Sequence, residues 1–374
     1  MTNLALIELI LSLASLPISI TVLVCVNRHL KLFKPPKIDT SYIDVEHAPS
    51  VTVCIPVRNE DQAIRDCLER VLSSNYPKLE VIVLDDESVD TTPEIVRIFA
   101  HDGVRFVPGQ PLPEGWIGKN KAADILTEQA SGKYILFLSA DTDIKPDSIS
   151  KLMAYALRHH LQMVCIMPTR KDGWRFSAIM APLRYFWTIL YHSKAYPAHT
   201  TASWLVDRDA LLAQGGFDKY KSLIKPEPQI AHDFFVKGRY RFLISDAQFG
   251  FSYEKKWSSQ VETSIRIDYP FVRQNWFTPV LFIVFELLIW SVIIYSLATN
   301  QFSYYSLGLL ISALIINLAY TQFSIKARPR TGILGFFTWP INIAIELVLI
   351  IFSLFKHKFN SVVWKGRRLT DHID

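Results

Sequence analysis

Between Leu4 and Val26 the chain carries a single charge, Glu8, in a run long enough to cross the roughly 30 Å hydrocarbon layer of a bilayer. Three more apolar stretches close the sequence, at about Phe277 to Leu297, Tyr304 to Phe323 and Ile333 to Phe355. Runs of this length leave no water-soluble solution for the ends of the molecule, so the chain is expected to anchor in a membrane at both ends of a polar middle. Composition agrees: 50% hydrophobic residues and a mean hydropathy of +0.18 are too apolar for an ordinary soluble enzyme, while the middle is too charged for a pure helix bundle. The first run lacks a basic leader and a small-residue cleavage site, so it reads as a retained anchor. Arg28, Lys31, Lys34 and Lys37 follow it and place its C-terminal end, and with it the segment from Ser50 to Asn275, in the cytoplasm of an inner-membrane, multi-pass protein.

The organisation predicted is an anchor over residues 1–30, a linker over 31–49, a cytosolic domain over 50–275 and a C-terminal transmembrane region with a basic tail over 276–374. Simple alternation brings Lys326, Arg328 and Arg330 inside but sends Lys356, Lys358, Lys365, Arg367 and Arg368 outside. A re-entrant hairpin broken near Trp339 and Pro340 resolves that conflict. The net charge of +5 is accounted for by these flanking bases, which suit anionic lipid, and nothing argues for a nucleic-acid partner. The four cysteines form no close pair and no metal-ligand spacing.

Within the polar middle, β-rich runs alternate with helical ones: Ser50 to Val57, Asp61 to Ser73, Leu79 to Leu84, Thr91 to Phe99, Val104 to Val107, Asn120 to Gln129 and Tyr134 to Leu138. Such alternation predicts an α/β domain with a mostly parallel sheet flanked by helices. Two of the strands stop abruptly at carboxylates. Leu79 to Leu84 ends in Asp85 and Asp86, and Tyr134 to Leu138 runs through Ser139 and Ala140 into Asp141 and Asp143. Ligands gather outside the carboxyl ends of strands in open α/β sheets, so two acid-tipped strands point to one crevice. Helix capping is the plainer use of any one such Asp, although Ser88 and Asp90 stand ready to cap the helix after the second strand. Neither dinucleotide nor P-loop glycine patterns occur.

The run V-C-I-P-V-R-N-E at Val53 to Glu60, V-L-D-D-E-S-V-D-T-T at Val83 to Thr92 and G-W-I-G-K-N-K-A at Gly115 to Ala122 together resemble the opening of a family 2 glycosyltransferase of GT-A fold. G-G-F at Gly215 to Phe217 and W-K-G-R at Trp364 to Arg367 extend the likeness over nearly the whole chain, and membrane-anchored hopanoid-associated and carotenoid-acid glycosyltransferases look similar. The resemblance implies a GT-A nucleotide-sugar-binding domain with one N-terminal and about three C-terminal transmembrane helices. It further implies that the segment of Pro56, Arg58 and Glu60 and the acids Asp85 and Asp86 hold the nucleotide of a UDP-sugar. Lys119, with Lys121 as the alternative, would approach the diphosphate. Asp141, with Asp143 beside it, would hold Mn²⁺ or Mg²⁺. The family's metal motif is Asp-x-Asp, and here Ser139 takes the place of the first acid. Its acceptor region carries Glu-Asp, and the matching residues here are Glu227 and Pro228. Glu227 would then be the general base, with Asp233 and His232 as substitutes. A carboxylic-acid acceptor would need no strong base.

A domain tethered at both ends suits an acceptor that stays in the lipid, such as an isoprenoid or glycerolipid. The aromatic and basic stretch Trp174 to Tyr196 fits an interfacial helix over such a substrate or a core helix of the domain. Trp257, Gln260, Arg273, Gln274 and Trp276 fit a lip of the acceptor site or an interface belt. The alternative function is a catalytically divergent protein of GT-A fold that binds a nucleotide sugar or a lipid without turnover. A processive synthase and a transporter fit less well: Arg273 to Trp276 only echoes a synthase motif, and a transporter gives the polar middle no task.

Overall fold

A computed structural model describes residues 3–38 and 46–368. In chain order, α1 (Asn3–Leu32) leads to β1 (Val51–Val57), α2 (Ile64–Leu72), β2 (Leu79–Asp85), α3 (Thr92–Ile98), β3 (Val104–Pro108) and α4 (Gly118–Gln129). There follow β4 (Tyr134–Leu138), β5 (Thr142–Asp143), α5 (Ser148–Arg158), β6 (Met163–Met167), β7 (Thr169–Arg170), α6 (Phe176–Ile179) and α7 (Arg184–Leu190). The next are β8 (Ser203–Asp207), α8 (Arg208–Ala213), α9 (Glu227–Val236), β9 (Tyr240–Ile244), β10 (Ser252–Tyr253) and α10 (Trp257–Gln274). Three long helices, α11 (Thr278–Ala298), α12 (Tyr304–Ala327) and α13 (Gly335–Lys358), precede a terminal hairpin of β11 (Val363–Trp364) and β12 (Arg367–Arg368).

The chain divides into two compact units. One is α/β and comprises Phe33–Thr169, Ser193–Glu254 and the segment from Ser361. The other is helical and comprises the residues up to Leu32 with Arg170–His192 and Lys255–Asn360. These units do not follow the boundaries read from the sequence: part of the polar middle belongs with the apolar helices, and the basic tail belongs with the α/β unit.

The α/β unit is built on a seven-stranded sheet ordered β3-β2-β1-β4-β8-β6-β9. β1 runs parallel to β2 and β4, β2 is parallel to β3, and β8 alone is antiparallel to its neighbours β4 and β6. The central strands read as continuous apolar runs because both faces are covered, and Val53, Ile55, Val83, Leu136 and Val164 are buried in one core with Ile64, Leu68 and Val71 of α2. Register fixes the site: Val57 pairs with Asp85 and Cys54 with Phe137, so β1, β2 and β4 end on the same edge of the sheet. Phe33, just past α1, closes the far edge of this unit by accepting a hydrogen bond from Ile244 N at 2.8 Å and meeting Phe242 edge-on.

In the helical unit four helices are long and apolar enough to cross a membrane: Leu4–Leu32, Thr278–Ala298, Tyr304–Ala327 and Gly332–Lys358. Small and polar residues hold them together, as expected where no hydrophobic drive separates helix from lipid. Ser15 Oγ donates to Ser312 Oγ at 2.9 Å, and Glu8 accepts from the hydroxyls of Ser296, Ser303 and Ser306. The re-entrant hairpin expected at Trp339 and Pro340 is not seen: α13 is continuous and contains Pro340. Pro340 lies in the second turn and removes the bond to the Phe336 carbonyl, which accepts instead from Asn317 Nδ2 at 2.8 Å.

In the stretch at 174–196, α7 is a core helix, but of the helical unit and not of the α/β unit. Phe186 and Trp187 of α7 are buried against Tyr320, Phe323 and Trp339, and Glu346 of α13 accepts from Leu183 N at 2.9 Å and from Trp187 Nε1 at 2.8 Å. Trp174 and Phe176, at the start of the stretch, remain exposed. Gln260 is buried and donates to Ser177 O at 2.8 Å, whereas Trp276 stands exposed at the corner between α10 and α11.

Candidate active site

The loops that follow β1 and β2 are stitched to each other. Asn59 and Glu87 both adopt left-handed backbone, with φ of 51° and 55°, which turns each strand end back over the sheet edge. Asn59 N donates to Ser88 Oγ at 2.8 Å, Val89 N donates to Asn59 Oδ1 at 2.9 Å, and Glu60 N donates to Thr92 Oγ1 at 2.8 Å. Asp90 receives Thr92 N at 3.0 Å and so serves the start of α3, leaving Asp85 and Asp86 for other work. Both are buried. Asp85 Oδ2 accepts from Ser88 N at 3.2 Å, while its buried Oδ1 has no hydrogen-bond partner, which is an acceptor awaiting a donor.

Asp86 is held by the terminal hairpin. Arg367 Nη1 lies 3.0 and 2.9 Å from its two carboxylate oxygens, and Arg367 Nη2 donates to Glu87. Burial pushes the Asp86 carboxyl above its ordinary range, against the opposing pull of Arg367 and Arg58. Arg58 donates through Nε to Lys365 O at 3.0 Å and through Nη1 to Asp86 O and Glu87 O. Lys365 Nζ reaches Asn59 O at 2.9 Å and a Glu60 carboxylate oxygen at 3.2 Å. Pro56, two residues before Arg58, is half-buried within β1 opposite Leu84.

The first turn of α4 closes this side. A Cβ at Gly118 would stand 2.6 Å from Arg367 Nη1 and 2.8 Å from Asp86 Oδ2, so a side chain there would displace that pair. Gly118→Val should therefore force the pair apart at a cost of about 1–3 kcal/mol, read as a lower unfolding temperature together with weaker nucleotide binding. Asn120 donates to the carbonyls of Tyr220 at 3.0 Å, Lys221 at 3.1 Å and Leu223 at 2.8 Å, and so fixes the loop that carries Glu227.

Lys119 and Glu227 form an ion pair, with Glu227 1% exposed and its Oε2 left without a hydrogen-bond partner. Lys121 is turned elsewhere, onto Asp124 at 2.9 Å and the Trp116 ring. Asp233 lies two turns along α9 and is used by Lys219 at 2.9 Å and the Tyr220 hydroxyl at 2.9 Å. His232, next to Asp233, lies 3.7 Å from it. Close to Lys119 in the electrostatic sense is His199, whose Nδ1–H donates to Pro197 O at 3.1 Å and whose buried Nε2 has no partner. Burial first, then Lys225 and Lys119, pull its pKa down to about 3, so it is neutral.

Directly after β4, Ser139 N donates to Ala202 O at 2.8 Å and Ser139 O accepts from Thr142 N at 2.9 Å. The Ser139 backbone thus makes the tight turn that presents Asp141 and Asp143, both half-buried. With Glu60 these two acids share the surroundings of Cys67, whose thiol is pushed up by burial first and then by Asp143, Asp141 and Glu60. Among the described residues no group of three His, Cys, Asp or Glu side chains could hold a metal. The two carboxylates are hard oxygen donors that fit a divalent cation, provided a substrate supplies further oxygens.

The sequence reading did not place Arg367 and Lys365 beside the acids that follow β1 and β2, and did not single out Gly118, Asn120 or His199. Lys-Gly between two strand-forming residues is a two-residue hairpin signal, and Lys365 and Gly366, at φ of 49° and 82°, are that turn. Nothing in the sequence indicates what such a hairpin docks on.

Residues 52–206 match the family described as Glycosyl transferase family 2, so the chain carries a family 2 glycosyltransferase domain in a GT-A-like α/β fold. Among curated proteins, an uncharacterized glycosyltransferase of Escherichia coli, YibD, is 29% identical over 113 residues, 30% of this chain and 32% of that protein. The glycosyltransferase AglE of Haloferax volcanii is 39% identical over 97 residues, 25% of this chain and 31% of that protein. The matched part thus spans about a third of these curated relatives. Among solved structures, the mannosyltransferase PcManGT of Pyrobaculum calidifontis, determined with GDP-Man and Mn²⁺, superposes with a TM-score of 0.54 at 18% identity over 95% of this chain and 99% of that one. That likeness supports the fold.

Proposed function

We propose that this protein is a membrane-bound glycosyltransferase that moves a sugar from a nucleotide-diphosphate sugar, UDP-linked by resemblance, to a lipid or isoprenoid acceptor at the cytoplasmic face of the inner membrane. One observation carries the reading: within a family 2 domain, the ends of β1, β2 and β4 bring Glu60, Asp85, Asp86 and Asp141 to one sheet edge. The base and ribose of the donor offer N–H and O–H groups, for which buried carboxylates are strong charge-assisted acceptors, and the unpartnered Asp85 Oδ1 is available to one of them. Asp141 and Asp143 would hold Mn²⁺ or Mg²⁺, which as a Lewis acid eases departure of the nucleoside diphosphate.

In the transfer, the acceptor oxygen forms a bond to the anomeric carbon as the bond from that carbon to the phosphate oxygen breaks. The acceptor proton passes to Glu227. Lys119 pairs with Glu227 in the resting site, and as Glu227 takes the proton the same ammonium becomes available to the negative charge growing on the leaving diphosphate. The basic residues after α1, and the apolar helices before and after the domain in the sequence, suit an acceptor that never leaves the bilayer.

The test is titration of UDP and GDP into the detergent-purified full chain with Mn²⁺, followed by sugar transfer from UDP-sugars to polyprenyl, triterpenoid and glycerolipid acceptors. Saturable binding and a glycosylated lipid product are expected. Nucleotide binding with no product on any acceptor class favours the divergent, non-catalytic binder, and no nucleotide binding by a folded sample rejects the donor site.

A further inference from the structure

We propose that the C-terminal hairpin β11–β12 is a wall of the donor site, and that Arg367 is a positioning residue that aims Asp86 at the base or ribose of a bound nucleoside diphosphate. The inference rests on the donor-site reading above and extends it to a segment some 280 residues away in the chain from the carboxylate it serves.

Four observations support it. Arg367 engages both oxygens of buried Asp86 with one nitrogen and reaches Glu87 with the other, so the carboxylate cannot rotate without breaking contacts to a group that is itself held at two points. The hairpin turn holds Lys365 in left-handed backbone, an unfavourable state for a residue with a Cβ, and in return Lys365 contacts Asn59 and Glu60 on the neighbouring strand end. Val362, fully buried, packs with Ile117, while Trp364 and Ile224 cover them, so the hairpin has an apolar foot beside the start of α4. Finally, Gly118 leaves room for the Asp86–Arg367 pair where any side chain would strike it. An incidental surface tail would show none of this matched space.

The local charges are also arranged for a ligand. Arg58, Lys365 and Arg367 interleave with Glu60, Asp85, Asp86 and Glu87, and each cation is tied to the loop of another strand. Arg58 links the β2 loop to the hairpin, Lys365 links the hairpin to the β1 loop, and Arg367 links it to the β2 loop. Binding of the nucleotide therefore requires that the tail be docked.

The experiment uses the full chain in detergent and isothermal titration with UDP and with GDP across pH, for wild type, Arg367→Ala, Arg367→Gln and Arg367→Lys. For Arg367→Ala and Arg367→Gln the affinity for whichever nucleotide the wild type binds should fall on the order of tenfold or more, because a buried carboxylate loses its partner. Arg367→Lys should recover part of the loss by restoring the charge without the two-point grip. A purely structural role would not move the pH profile, and this one should. The charged groups facing Asp86 are Arg367 on β12, Arg58 after β1 and Glu87 on its own loop. Without Arg367 the carboxyl holds its proton to higher pH, so on acidification nucleotide binding should fail earlier in Arg367→Gln than in wild type. Unchanged or tighter binding in Arg367→Ala and Arg367→Gln, with the acidic limb in place, overturns the proposal and makes the hairpin a bystander or a plug that the nucleotide displaces. Absence of binding in wild type overturns the donor-site reading together with it. Should Arg367→Ala lose the hairpin altogether, seen as a changed unfolding temperature without nucleotide, the comparison of Arg367→Gln with Arg367→Lys decides.

Discussion

Glu227→Gln should abolish sugar transfer to within about a hundredth to a ten-thousandth of the wild-type rate while leaving nucleotide binding nearly intact. Glutamine keeps an oxygen for Lys119 to donate to and fills the same volume, so the loop fixed by Asn120 should stay in place. What it cannot do is take a proton. The informative companion is Asp233→Asn. Burial pushes the Asp233 carboxyl up, but hydrogen bonds from Lys219 and Tyr220 outweigh it and hold the group below its ordinary range. An acid whose folded pKa is depressed contributes stability that is present above its unfolded value of about 3.9 and is lost as pH falls through the folded value. Asp233→Asn should thus lower stability modestly at neutral pH, with the difference fading in acid, and should change turnover little. Steady-state rates on a fixed donor and acceptor, with unfolding temperatures across pH, separate the two. If instead Asp233→Asn stops turnover and Glu227→Gln does not, the base is misassigned and α9 must present its other face to the acceptor.

Asp141→Ala should remove the metal dependence of nucleotide binding and cut turnover on the order of a hundredfold or more, since a Lewis acid at the leaving group is worth several kcal/mol. The reason is the small number of ligands. No three-residue metal cluster exists among the described residues, so a cation at this edge would rest on Asp141 and Asp143 with further oxygens from the substrate. Loss of one of two ligands cannot be made up by neighbours. Titrations of UDP with and without Mn²⁺ read the effect directly. Equal metal dependence in Asp141→Ala would move the site to Asp143 or elsewhere. Metal-independent binding in wild type would leave Lys119, and no cation at Asp141 and Asp143, as the counter-charge of the diphosphate.

The sheet was readable in the chain because a buried parallel strand leaves a strong local trace. The predicted runs at Ser50 to Val57, Leu79 to Leu84 and Tyr134 to Leu138 fall on β1, β2 and β4 to within a residue or so at each end. α4 begins two residues earlier than Asn120, at Gly118, because no N-cap side chain marks its start and a packing requirement sets it instead. The same local rule placed Asp85, Asp86 and Asp141 at the strand ends, since carboxylates directly after apolar strands need no long-range information to be noticed. Lys119 and Glu227 were nominated separately, 108 residues apart, and their contact could not be foreseen from either neighbourhood.

Hydrophobic period, strand ends and charge placement are local properties, and they were enough to establish an α/β domain between apolar helices, with its carboxylates on one sheet edge. Partnership is a different kind of property. That Lys119 pairs with Glu227 and Lys121 does not, that Trp187 is buried on Glu346 while Trp174 stays exposed, and that W-K-G-R at the end of the chain grips the acids after β2, all depend on which distant surfaces folding brings together. Two identical short motifs can be solvated in one fold and buried in another, because the energy of an ion pair or an apolar foot comes from the water it excludes, and that is a property of the packed chain.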